Sequence, residues 1–336
     1  MNIMTLKSLR IGIALLGLAI VFTLQACSRA TDALVVYSGR TEDLIGPLLQ
    51  EFSEETGIPV VVRYGQTAEM VATILEEGEN TPADVIFAQD VGALGALSNH
   101  GRLHKLPVDV LAKVEPRFRS PQGQWIGVSG RARTIVYNTD RVNPDDLPAT
   151  LDGFCEPEWK GRVGWAPANG SFQAHVTALR LLQGEESTRD WLECMRDNQT
   201  RVYAKNTPIV LAVIAGEIDA GLVNHYYLDR MQREQDGTLP AQNHIPTGGT
   251  LINAAGVGIL DTSARVPHAE ALARYLLSES AQTYFAEETL EYPLLQAMPL
   301  LGKRTPLEQI PTPDVDLSGL EDLEGTLRLL QDTGVL

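Results

Sequence analysis

Short apolar runs alternate along the chain with longer stretches whose apolar residues recur every three or four positions. That alternation predicts strands interleaved with amphipathic helices. Residues 33–37 form the first run, followed by Ser38-Gly39-Arg40-Thr41. Thr41 stands where a helix cap belongs, Glu42 and Asp43 fill the first turn, and Gly57 ends the helix. Leu44, Ile45, Leu48, Leu49 and Phe52 share its inner face. A strand is predicted at 59–63, a helix at 68–77 closed by Gly78, and a strand at 84–88. Further strands fall near 134–137, 162–165, 220–223 and 254–260, and helices near 172–182, 208–215, 267–277, 279–288 and 320–330. The pattern predicts an α/β class, with mostly parallel sheets flanked by helices. Residues 242–249 read as a polar turn that returns the chain from a second lobe to the first.

The ends and the composition narrow the function classes. Lys7 and Arg10 precede an apolar stretch, residues 11–24, too short to span a bilayer comfortably, so residues 1–26 read as an export signal. Leu24-Gln25-Ala26-Cys27 resembles a bacterial lipobox, which makes a diacylated Cys27 the expected mature N-terminus and 27–32 a tether. A soluble exported protein cut nearby is the alternative. Membrane contact is therefore expected only through a lipid anchor. The formal charge is −16, and the signal takes two positive charges with it, leaving −18. A surface that acidic disfavours nucleic acid and anionic lipid as partners. Cys155 and Cys194 remain as a candidate disulfide, worth about 4 kcal/mol in an oxidising compartment; two free buried thiols are the other reading.

Several loops repeat one design, a strand followed by small or polar residues and a helix start. They are Ser38-Gly39-Arg40-Thr41, Gln89-Asp90 and Asn169-Gly170-Ser171. Loops at strand carboxyl ends line ligand crevices in open α/β sheets, and free N–H groups at helix starts attract anions. The adjacent Tyr226 and Tyr227 fall just past the 220–223 strand. Two phenolates side by side could hold a hard, highly charged cation such as Fe³⁺. The same dipeptide is also at home as a partly buried aromatic pair with no ligand. Neighbours on a regular strand face opposite ways, so sharing one ion requires the backbone to leave the strand there.

Taken in order, several segments resemble the ferric-ion-binding proteins of bacterial ABC importers, the "bacterial transferrin" family. They are Val36-Tyr-Ser-Gly-Arg40, Glu54-Glu-Thr-Gly-Ile58, Thr81-Pro-Ala-Asp-Val85, Ser129-Gly-Arg-Ala-Arg133, Trp159-Lys-Gly-Arg-Val163, Tyr203-Ala-Lys-Asn206, Gly216 through Tyr227, and Glu291-Tyr-Pro-Leu294. The resemblance runs from about Leu34 to Leu295. It implies a two-lobed periplasmic-binding-protein fold of type II, with a hinge between lobe 1 (33–130 plus 254–305) and lobe 2 (131–253 plus 306–336). It further implies Fe(III) as cargo held by Tyr226 and Tyr227, with a synergistic anion, carbonate or phosphate, completing the shell. Asn169, Gly170, Ser171, Asn206, Asn224 and Arg133 match the anion-binding positions. An inner-membrane ABC permease is the implied partner, and the chain is expected as a monomer in the periplasm or on the outer face of the cytoplasmic membrane. Some family members carry a histidine where this chain has Thr41 and a glutamate where it has Gln89. Thr41, Gln89 and Arg40 are therefore cleft candidates, and the third strong ligand is unassigned among Tyr37, Tyr64, Tyr203, the anion and water.

Enzyme motifs are missing. Gly127-Val-Ser-Gly-Arg131 fails the nucleophile elbow at its last position, and Gly256-Val-Gly lacks the third glycine of a dinucleotide fingerprint. His100 and His104 have a zinc-like spacing, but Gly101 reads as a helix stop. A binding protein rather than an enzyme is the expectation. Another anionic ligand or chelated metal on the same scaffold stays open, and an exported hydrolase stands further back.

Overall fold

The computed structural model describes residues 32–235, 238–247, 250–296, 298, 306–310 and 317–336. The export signal and Cys27 lie outside them. Strands β1 (Leu34–Ser38), β2 (Val60–Tyr64) and β3 (Val85–Ala88) pair in parallel in the order β2-β1-β3. Each hands over to a helix: α1 (Glu42–Thr56), α2 (Thr67–Glu77) and α3 (Val91–Asn99). Thr41 stands at the cap position of α1 in extended backbone, without a side-chain cap bond, and Gly57 ends the helix at φ 71°, a left-handed turn that costs glycine little. A short α4 (Val108–Leu111) follows.

Strand β4 (Trp125–Asn138) is far longer than the run at 134–137 predicts. Its fourteen residues are all buried and include Ser129, Arg131 and Arg133, so polar positions broke the apolar run without ending the strand. The first half of β4 pairs antiparallel with β9 (Ile252–Ile259), through Ala132 opposite Ile252. From Arg133 onward it pairs antiparallel with β7 (Ala220–Asn224) and β8 (Ala241–His244). One strand thus belongs to two sheets, and β4 with the start of β9 forms the crossing between lobes. The second sheet is completed by β5 (Val163–Trp165), parallel to β6 (Arg201–Val202) and to β7. Parallel pairing therefore holds on the outer strands of each lobe, while the crossing strands run antiparallel. The polar turn expected at 242–249 is in part strand β8, in which only Ala241 is buried and the polar Gln242, Asn243 and His244 are exposed or half-buried, so no apolar alternation marks it in the sequence.

Helices α5 (Gly170–Gln183), α6 (Glu185–Asp197), α7 (Asn206–Ile214) and α8 (Tyr226–Glu234) pack around the second sheet. Helices α9 (Val266–Leu276) and α10 (Glu279–Glu287) complete the first lobe, and β10 (Tyr292–Pro293) pairs with β4 at Ser129 and Gly130. Cys155 and Cys194 are joined. The apolar cores are separate. One gathers Leu34 to Ala132 with residues 251–294, and two others gather around Trp165 and Val223. The segment expected wholly in lobe 2, residues 306–336, is divided between them. Leu307, Ile310, Leu317 and Leu320 join the first core, whereas Leu329 and Leu330 of α11 (Leu323–Asp332) join the second. A Cβ on Gly92 would lie 2.7 Å from the Leu320 backbone, so only glycine lets α3 take that contact.

Candidate functional site

Because β5, β6 and β7 run parallel, their carboxyl ends open on one edge, and each feeds a helix start. Helix α5 begins after Asn169, α7 begins at Asn206, and α8 begins at Tyr226. Three positive dipole ends converge there. Asn169 caps α5 by accepting from the Ser171 N–H at 3.1 Å and from the Ser171 hydroxyl at 2.5 Å, a cap worth about 1 kcal/mol. Asn206 Nδ2 donates to Asn169 Oδ1 at 3.4 Å and to Ser171 Oγ at 3.3 Å.

Arg133 lies beneath this cluster. Its Nη1 donates to Ser171 Oγ at 3.3 Å and to the side-chain oxygens of Asn206 and Asn224 at 3.4 Å. Nη2 holds the Leu222 carbonyl at 3.0 Å, and the guanidinium faces the Phe172 ring at 5.7 Å. Burial pulls Arg133 down to about 10, while Tyr227 and then Tyr226 act in the opposite direction. It therefore remains a cation at neutral pH. A buried cation with long, weakly satisfied hydrogen bonds to neutral amides favours an incoming anion. Asn169, Ser171, Asn206, Asn224 and Arg133 are thus brought together. Gly170 is exposed, with open space on its side-chain side.

Tyr226 and Tyr227 open helix α8, whose cap residue His225 is already helical at φ −53° and ψ −42°. The backbone has left the strand one residue before the pair. Consecutive helical side chains need not oppose each other, and the two rings stack at 4.5 Å and 27°. Burial first, then its neighbour Tyr227, push the Tyr226 phenol well above the ordinary tyrosine range, against the pull of Arg131. Arg230 lies over the outer face of Tyr226 at 5.3 Å. Ionising Tyr226 stays costly despite these guanidinium groups, and a multivalent cation bonded to it would reverse that cost.

The other wall is less complete. Gln89 holds the Thr67 hydroxyl through its N–H at 3.1 Å, and its carbonyl accepts from Arg131 Nη2. Thr41 is exposed and makes no side-chain cap bond. Arg40 is buried, with Nη1 2.9 Å from Glu291 Oε1, so that end of its guanidinium braces the site rather than facing a ligand. Tyr37 is engaged with Glu77 at 3.1 Å and Tyr64 lies on the outer groove beside α1. Neither is placed among the residues above. Among the described residues no three His, Cys, Asp or Glu side chains gather as a metal site.

Sequence reasoning passed over Arg131 and Glu291. Arg131 is two residues from Arg133 on one strand and so shares its face; that spacing was the available signal. Glu291 is buried and accepts from Arg40 and, at 2.6 Å, from the Ser129 hydroxyl. Burial raises its carboxyl, but Arg40, Arg131 and these hydrogen bonds outweigh it and hold the group below its ordinary range. Only the fold brings residue 291 to residues 40 and 129.

Residues 80–313 match the family model of bacterial extracellular solute-binding proteins. The chain is 30% identical to the Fe(3+)-binding periplasmic protein of Serratia marcescens over 325 residues, 95% of each chain. Its fold is similar to that of iron-bound HitA from Pseudomonas aeruginosa, with TM-score 0.82 and 30% identity over 90% of this chain and 99% of that one. It is also similar to the Trichodesmium IdiA (FutA) protein in complex with iron and citrate, with TM-score 0.78 and 27% identity over 90% and 99%.

Proposed function

We propose, for a chain that belongs to the bacterial extracellular solute-binding proteins together with the periplasmic ferric-iron-binding proteins, that it captures ferric iron between its lobes. The observation that carries this reading is the stacked phenol pair at the start of α8, Tyr226 buried and Tyr227 half-buried, set beside Arg133 and three helix N-termini. Tyr226 and Tyr227 release their protons to solvent as they bind the ion, and phenolate charge offsets the trivalent cation. A carbonate or phosphate at Asn169, Ser171, Asn206, Asn224 and Arg133 fills further positions that water or hydroxide would otherwise take. Gln89 and Thr41 supply neutral oxygens at most, so the anion carries a larger share of the ion's coordination. The lobes close about β4 and β9 by hinge bending. Function then consists of capture and release to an inner-membrane permease, with the exported chain held by a lipid on Cys27 and no turnover.

Ferric iron added with bicarbonate or phosphate should give the purified protein a visible phenolate-to-iron charge-transfer band. Tyr227→Phe should remove most of it with an unchanged far-ultraviolet spectrum. A colourless wild type that fails to draw iron from a weak chelator would overturn the reading. A second reading, iron arriving already chelated by an organic acid, is favoured by the paired cations Arg131 and Arg133 and the neutral Thr41 and Gln89. Citrate that tightens iron binding where phosphate does not would select it.

A further inference from the structure

We infer that His225 is a positioning residue whose imidazole stands in for a backbone carbonyl, letting β7 end one residue before the tyrosine pair. The inference rests on the proposal that this pair holds the cargo. Opposite residues of an antiparallel pair alternately exchange both backbone bonds and neither. Arg133 faces Asn224, and its own N–H points away, to the Leu251 carbonyl. The next pair, Ala132 with His225, should therefore exchange both. One bond is present, His225 N–H to the Ala132 carbonyl at 3.0 Å. In the other direction the Ala132 N–H meets not the His225 carbonyl but His225 Nδ1, at 3.2 Å. The carbonyl has turned with the helix and accepts from Asn243 Nδ2 at 2.9 Å.

A backbone N–H only donates, so Nδ1 carries the lone pair and Nε2 the hydrogen. Nε2 then donates to the Leu290 carbonyl at 2.9 Å. Leu290 holds φ 58°, unusual for a branched side chain, and it precedes Glu291, the partner of Arg40 and Ser129. The ring also packs on Tyr226 at 5.7 Å edge-on and on Tyr292 at 4.6 Å. His225 thus ties the start of α8, the crossing strand β4 and the 290–292 segment into one unit. Without an acceptor on this side chain, β4 would bury an unsatisfied N–H, or the His225 carbonyl would have to turn back to β4 as strand and displace the start of α8 that carries the tyrosines.

The test compares His225→Phe, which keeps the ring and loses both bonds, with His225→Gln, whose amide can accept and donate. Ferric iron with phosphate is the probe, read by chelator competition and by the visible band. The Phe variant should bind iron about 10- to 100-fold more weakly, the range for residues that orient metal ligands, with a displaced or weakened band. The Gln variant should recover most of the affinity. Equal losses in both variants would show that restoring an acceptor and a donor does not restore the site and would overturn the inference, as would wild-type behaviour of the Phe variant. Hydrogen exchange at the Ala132 amide, protected in wild type and Gln but not in Phe, decides the positioning claim without iron. A wild type that shows no band would instead count against the proposed cargo.

Discussion

Replacing Glu291 by Gln removes a buried charge while keeping the shape of the side chain. Arg40 and Glu291 are 1% and 2% exposed, and their charged atoms are 2.9 Å apart. Oε2 also accepts from the Ser129 hydroxyl at 2.6 Å. A glutamine can keep one of these bonds, but it leaves the Arg40 cation buried without a counter-charge. Breaking one side of a buried pair costs about 3–5 kcal/mol. With about 2 cal/mol/K of unfolding entropy per residue, that lowers the melting temperature by roughly 5–8 °C. Urea unfolding followed by circular dichroism measures the free energy directly. The pH dependence has a defined sign. The folded carboxyl lies below its ordinary range, so its contribution is complete above the unfolded value, about 4.3, and is lost as pH falls through the folded one. Wild type and variant should differ most at neutral pH and converge in acid. A neutral-pH difference under about 1 kcal/mol, the size of an exposed pair, would refute the claim that this ion pair holds the cleft wall.

Arg133→Met should cost about 10- to 100-fold in the phosphate concentration needed to support iron binding, the equivalent of one charge-assisted contact at 1.5–3 kcal/mol; an unchanged phosphate dependence would take Arg133 out of the anion site. Iron affinity should fall as pH falls, because each phenol must release a proton. Between about pH 8 and 6.5 the wild-type slope should exceed that of Tyr227→Phe by one proton, about tenfold per pH unit; equal slopes would mean that Tyr227 stays protonated in the complex.

The α/β alternation was legible because most strands are short apolar runs ended by glycine or a capping residue, as at Ser38 to Thr41. Strand β4 was only partly legible, since Ser129, Arg131 and Arg133 look like a polar loop until the site explains them. The α6 helix was missed for a related reason: only Thr188, Trp191, Leu192 and Met195 of its thirteen residues are buried, a narrow stripe in a charged sequence. At the site, the loops before α5 and α8 could be found from capping chemistry and the tyrosine pair. Contacts between distant segments could not. Nothing local to Glu291 announces Arg40, 251 positions away, and nothing in Asn-His-Tyr-Tyr shows that an imidazole completes a ladder begun at Ala132. Arg40 is a cleft candidate by its loop, and only the fold shows that one end of its guanidinium is tied to Glu291.

A crystal structure of the iron-loaded protein, with the metal located by its anomalous scattering, reaches the central claim most directly. The account predicts one iron bonded to the phenolic oxygens of both Tyr226 and Tyr227, with an anion bridging it to Arg133 and the Asn169–Ser171 loop. Iron bound elsewhere, or a cleft filled by a ligand that leaves both phenols protonated and unbonded, would contradict it.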